Sequence, residues 1–335
     1  MKRVATLLFA LLMMTTVNAQ TLTERQKGLA ACACLMAQGN LERLEPVVRQ
    51  ALDNGVTINE VKEAFSQLYA YTGFPRSLNA LGVLNKVLEN RSKNWQEGKP
   101  WMRPAEWDNT RKAYELGTKN QTQLSGSPFD YTFCPQDDYY LKAHLFGDIF
   151  AGDQLTNADR EIVTVAALSG LEGVTPQLAA HKKGAVNMGN SQELVDELCA
   201  WLDSEGYTLR SKWSKGEPNT GYAQYFIGNS YLSNVGGDVH NVTFEPRCRN
   251  NWHIHHKQVQ VLICVAGRGW YQEWGKEPVE MTPSTVIAIP AEVKHWHGAA
   301  KDSWFQHLTY HKDVKEGASH EWLEPVTDEI YNKLQ

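Results

Sequence analysis

The stretch Trp252-His253-Ile254-His255-His256-Lys257-Gln258-Val259-Gln260, followed downstream by Pro290-Ala291-Glu292-Val293-Lys294-His295, decides how the second half of this chain folds. Histidines one residue apart face the same side of an extended segment, because side chains alternate along a strand. Val259 to Val265 and Thr285 to Pro290 are short apolar runs bounded by glycine or proline, and Ser303 to Tyr310 is similar. Such runs read as buried strands. Beyond about Tyr207 no helical spacing survives, so this part is expected to form an antiparallel barrel or jelly roll. His297 follows His295 by two and shares its face. His307 shares a face with Phe305 and Thr309.

Upstream, the spacing is helical. Thr21 to Glu24 and Thr57 to Glu60 have the form of capping boxes, and a helix near Leu41 to Asp53 closes at Asn54-Gly55. Tyr71-Thr-Gly73-Phe-Pro75 breaks the third helix, and Ser77 to Glu89 resumes one. After a polar connector the pattern returns, with Thr156-Asn-Ala-Asp159 as a cap and Ala185-Val186-Asn187-Met188-Gly189 answering Ala51-Leu52-Asp53-Asn54-Gly55. Thr21 to Thr156 and Arg25 to Arg160 are 135 apart, while Ala51 to Ala185, Gly55 to Gly189 and Glu63 to Glu197 are 134 apart. Two copies of one helical unit follow, differing by a single-residue deletion. In that register Glu161 falls opposite Gln26 and His181 opposite Val47, so only the second copy keeps a carboxylate and an imidazole. Glu63 and Glu197 occur in both copies and read as structural ion-pair or capping residues.

These motifs carry two resemblances. Arg247 to Gly267 and Pro290 to His295 resemble the two cupin motifs, G-x5-H-x-H-x4-E-x6-G and P-x-G-x2-H. Arg247 replaces the first glycine, Gln260 the glutamate and Glu292 the glycine of the second motif. The cupin resemblance implies a divalent metal held by His253, His255, Gln260 and His295. Imidazole suits Fe, Ni, Zn and Mn alike, so the metal stays open. Gln260 makes the ligand set neutral, which favours Lewis-acid chemistry. His297, and after it His307, are candidate acid–base partners. Lys142 to Phe150, Arg160-Glu161-Ile162, Gly173 to His181 and Leu68 to Pro75 resemble the carboxymuconolactone decarboxylase family. That resemblance implies an acid–base pair of Glu161 and His181, a small carboxylated, lactone-like substrate, and a homo-oligomer. Arg76 is a candidate anchor for the substrate carboxylate. Relatives with peroxidase activity place a C-x-x-C pair where this chain has Val174 and Gln177, which argues against thiol peroxide chemistry.

The expected architecture is multidomain α+β. A signal peptide (1–19) precedes a first helical repeat (20–91), a linker (92–130), a second repeat (131–206) and a β-barrel cupin domain (207–335). Lys2-Arg3, an apolar run to about Val17 and Asn18-Ala19 have the form of a cleaved secretion signal, implying a periplasmic or secreted protein. The run is too short to span a membrane, and a net charge of −5 gives no reason to invoke nucleic acid or an anionic membrane as partner. Six cysteines form no metal-binding spacing and are read as free thiols, with pairing left open. The favoured function is an exported lyase. The alternatives are a metal-dependent cupin enzyme whose repeats only oligomerise, and a non-catalytic small-molecule binding protein.

Overall fold

A computed structural model describes residues 20–91 and 93–334, and the segment read as a secretion signal lies outside them. The first repeat comprises α1 (Glu24–Gln38), α2 (Leu41–Asp53) and α3 (Ile58–Gln67), then the single turn α4 (Tyr69–Thr72) and α5 (Phe74–Glu89). Next come α6 (Thr110–Ser125), α7 (Pro135–Tyr139) and a π-helix over Tyr140–Ile149. The second repeat follows as α8 (Asn157–Ser169), α9 (Thr175–Asn187) and α10 (Gln192–Ser204). Among the described residues no helix is long and apolar enough to cross a membrane, and all six cysteines are unpaired.

The cap of α1 is Thr23, not Thr21. Its side chain accepts from Gln26 N while Gln26 Oε1 accepts from Thr23 N. Thr21 stays outside the helix so that Leu22 can turn into the core. Helix starts therefore lie 133 apart for α1 and α8, and 134 apart for α2 with α9 and for α3 with α10. Counted from the caps, Glu161 falls opposite Gly28 rather than Gln26; the first copy lacks the carboxylate in either register. The equivalent helices α1 and α8 pack on one another at the centre, buried from Leu29 to Ala37 and from Asp159 to Leu168. Glu63 pairs with the fully buried Arg160, and Glu197 Oε2 accepts from Leu22 N at 3.1 Å.

The stretch read as a linker contains α6. Its buried positions are Ala113, Gly117, Asn120, Gln121 and Leu124, small or polar residues but for the last, which leave no apolar stripe. They are spaced as one helical face, and what they allow is close approach. A Cβ on Gly117 would stand 1.6 Å from Lys142 O, and one on Gly147 2.3 Å from Ala113 O. Helix α6 is thereby clamped to the π-helix, and Asn120 Nδ2 donates to Phe146 O at 2.8 Å.

The barrel contains β1 (Glu217–Pro218), β2 (Phe226–Ile227), β3 (Ser230–Gly236), β4 (Val239–Phe244), β5 (Arg249–Asn250), β6 (His253–His256) and β7 (Val259–Gly267). It continues with β8 (Gly269–Glu273), β9 (Val279–Met281), β10 (Val286–Ile289), β11 (His295–Ala299), β12 (Phe305–Lys312) and β13 (Ser319–Trp322). One sheet runs β1-β3-β4-β12-β7-β10 and the other β13-β6-β11-β5-β2, with β8 joining β11 to β9. Every pairing is antiparallel, giving the expected double-sheet barrel of cupin type. Arg247 and Glu292, which stand where the cupin motifs have glycine, both keep a left-handed backbone, with φ of 72° and 68°. A non-glycine residue there costs roughly 1–2 kcal/mol. Glu292 has a compensating use: Oε1 accepts from Lys257 N, and Oε2 holds His256 Nδ1. Trp252 and Trp296 pack outside the lumen against Tyr331 of α11 (Asp328–Tyr331), while Trp304 packs with Leu209 at the junction to the helices.

Candidate functional site

Alternation along three strands fills the barrel with imidazoles. Strand β6 turns His253 and His255 inward, β11 contributes His295 and His297, and β12 contributes His307 and His311. His253 and His295 face each other across the β6–β11 pairing. One nitrogen from each of His253, His295 and His297 lies within 4.8 Å of the others, and all three residues are buried. His297, expected as an acid–base neighbour of the ligands, thus stands inside the cluster. His255 is set slightly aside, its ring 5.2 Å from that of His253 and 5.6 Å from that of His295. Its Nε2 is buried without a partner, and its Nδ1 is 3.1 Å from His311 Nε2.

The tautomers follow from the acceptors. His253 Nδ1 donates to Asn251 O at 3.0 Å and His295 Nδ1 to Val293 O at 2.8 Å. A neutral ring so tied presents the Nε2 lone pair, as metal-ligating histidines do. The rings are held neutral: burial first, then neighbouring rings, pushes His253 and His297 well below their ordinary pKa and His255 to about 2. Burial likewise pushes His295 down to about 3 and His307 to about 4.

Gln260 completes the arrangement. Its Nε2 donates to Thr309 Oγ1 at 3.4 Å, which turns Oε1 toward His295 Nε2 at 3.0 Å. That places two lone pairs against each other, with no proton to share. A cation against both resolves the conflict, because two donors about 2.1 Å from one ion at right angles stand about 3 Å apart. The residues therefore suit a metal ion: His253, His295 and His297 present nitrogens within 4.8 Å of one another, and Gln260 and His255 border them.

Sequence reasoning missed several groups around this centre. Asn250 Nδ2 donates to His297 Nε2 at 3.0 Å, and Asn250 Oδ1 accepts from His297 N. The Trp322 ring lies 4.8 Å from that of His253 and stacks on Tyr225. His311 was legible, since the alternation that joins His307 to Thr309 extends to it. Trp322 and Asn250 come from separate strands whose pairing no local pattern announces.

The second repeat holds the other candidate pair. His181 Nδ1 donates to Glu161 Oε2 at 2.7 Å, from α9 to α8. Glu161 is fully buried, with Oε1 unpartnered, and His181 is 8% exposed. The carboxylate fixes the tautomer and leaves His181 Nε2 available. The Tyr71 ring meets His181 edge-on at 5.5 Å, and burial followed by the Glu161 charge raises the pKa of its phenol. Leu124, Phe146, Phe150 and Met188 form the apolar wall beside Tyr71. Arg76 does not join this pair. Its guanidinium donates to Ala37 O at the end of α1 and lines a cleft elsewhere.

The model of the carboxymuconolactone decarboxylase family matches residues 3–86 and 139–214. An (R)-mandelonitrile lyase from Granulicella tundricola is 41% identical over 92 residues, covering 28% of this chain and 69% of that protein. Peroxisomal protein 2 of Saccharomyces cerevisiae is 36% identical over 60 residues, 18% of this chain and 21% of that protein. Among solved structures, a cupin-like protein from Thermotoga maritima is 35% identical, covers 37% of this chain and 96% of its own, and has a TM-score of 0.34.

Proposed function

For a chain that belongs to the carboxymuconolactone decarboxylase family and carries a cupin-like barrel behind its two repeats, we propose a metal-dependent lyase acting on a small carboxylated compound. The observation that carries this reading is the facing pair of acceptors, Gln260 Oε1 and His295 Nε2, inside a cage of neutral imidazoles. Likeness to an (R)-mandelonitrile lyase and to a decarboxylase family supports lyase chemistry over other cupin reactions. A divalent ion so held supplies a Lewis acid whose double charge no anionic ligand reduces, suited to an anionic or carbonyl oxygen. His253, His255, Gln260 and His295, with His297 beside them, would hold that ion. His307, buried with an unpartnered Nε2, would accept a proton close to His297. The rings of Trp322, Tyr225 and Phe244 form an aromatic wall beside these histidines.

The Glu161–His181 pair forms a second acid–base centre. His181 Nε2 is the atom that would protonate an enolate left by loss of carbon dioxide, with Glu161 stabilising the imidazolium. Two substitutions separate the centres, with carbon dioxide release from carboxymuconolactone and cyanide release from (R)-mandelonitrile as readouts. The barrel reading expects His253→Ala to abolish both metal content and turnover. If instead His181→Ala abolishes turnover while His253→Ala spares it, the reaction belongs to the repeat. A folded protein that takes up no divalent metal on titration would sink the barrel reading outright.

A further inference from the structure

The junction between the helical repeats and the barrel carries a feature that neither centre uses. A cleft of about 1320 Å³ opens there, walled by the end of α1, the start of α2, the turn after α8 and the irregular run from Leu209 to Lys215. Five cationic side chains line it: Arg43, Arg76, Arg210, Lys212 and Lys215. The acids along it are Glu42, Glu172 and Glu205, so cations are in excess. Among the described residues Arg43 and Arg76 have no carboxylate partner. Arg43 Nη2 donates to Gly206 O at 3.1 Å, and Arg76 Nη1 donates to Ala37 O. Each thus spends part of its fork on a helix end and keeps further donors. Arg210 pairs with Glu172 at 2.7 Å, but that carboxylate sits on the rim, its side chain 82% exposed. Arg43 is half-buried, and burial pulls its guanidinium below its ordinary pKa.

One acceptor completes the wall. Gln38 Nε2 donates to Tyr207 O, while Gln38 Oε1 is buried without a partner. Guanidinium forks match the oxygens of carboxylate and phosphate. We propose that this cleft is a binding site for a small polyanion bearing phosphate or carboxylate groups. The site is independent of where the lyase reaction takes place, since it contains neither the barrel histidines nor His181.

The test uses the full chain with inorganic phosphate and citrate as separate probes, against sodium chloride at matched ionic strength. Calorimetric titration should show saturable binding of at least one probe, and that probe should raise the melting temperature. Which of the two binds tells a phosphate site from a carboxylate site. The double variant Arg210→Gln/Lys212→Gln removes two cleft cations without touching the helix-end contacts of Arg43 and Arg76, and should weaken binding at least tenfold. Lys119→Gln on α6, outside the cleft, should leave it unchanged. The proposal is overturned if neither probe binds beyond the chloride control, or if the double variant, folded by circular dichroism, binds as the parent does.

Discussion

Acidification of the metal-free protein from about pH 7.5 to about pH 5.5 should destabilise the barrel. In the unfolded chain each imidazole takes up a proton as the pH falls through about 6.5. In the folded barrel burial keeps His253, His255, His295, His297 and His307 neutral, with folded pKa values depressed to about 2, 3 and 4 for His255, His295 and His307 and well below the ordinary value for the other two. The unfolded state then binds more protons, so this stability is full above pH 6.5 and drains away as the pH falls toward the folded values. At pH 5.5 each group costs about 1.4 kcal/mol, and the five together roughly 7 kcal/mol. That is comparable with the whole stability of an ordinary domain. Urea unfolding in the presence of a chelator, followed by tryptophan fluorescence at a series of pH values, measures the slope. A loss no larger than the 1.4 kcal/mol expected of one histidine would refute the picture of a cage of neutral rings. Adding a divalent metal should raise the stability by a similar amount at each pH in this range, because the folded rings carry no proton for it to displace.

Gly117→Ala and Gly82→Ala are the same substitution in two helices and should have opposite signs. Helix propensity favours alanine by about 1 kcal/mol in both. At Gly82 a Cβ meets nothing within 4 Å, so stability rises by about 0.5–1 kcal/mol; at Gly117 the clash with Lys142 O wins, and a net loss of about 2 kcal/mol is expected in the urea midpoint. Arg160→Met should cost about 3–5 kcal/mol by stranding Glu63, and the double variant Arg160→Met/Glu63→Leu should recover most of that loss in a thermal melt.

The barrel was legible because strand alternation is a two-residue rule. His253 with His255, and His295 with His297, could be assigned to shared faces without knowing which strands pair. The resemblance to the carboxymuconolactone decarboxylase family singled out Glu161 and His181, and comparing the two copies placed them in the second alone. Helix α6 was not, because its contact face is glycine, alanine, asparagine and glutamine with a single leucine, and polarity patterns report burial by transfer free energy rather than by closeness of approach. Helices α1 and α8 are buried all round, so neither shows a stripe that would have predicted their mutual packing. Arg76 failed as a carboxylate anchor for a related reason. Its distance along the chain from Gly73 said nothing about which helix end its guanidinium would reach.

The pairing of α1 with α8 has a consequence for how the two copies can diverge. The first copy has neither Glu161 nor His181 in its own register, yet it still shapes the helix that carries Glu161. Leu29 to Ala37 form the surface against which the helix bearing Glu161 is laid, so a residue there answers to shape even where it touches no reacting group. A shortened protein beginning at the second repeat would present the naked side of α8 to water, and should aggregate rather than work as a smaller enzyme. The first copy is in effect an internal chaperone that never leaves, and along Leu29 to Ala37 its tolerance of substitution should be set by side-chain size.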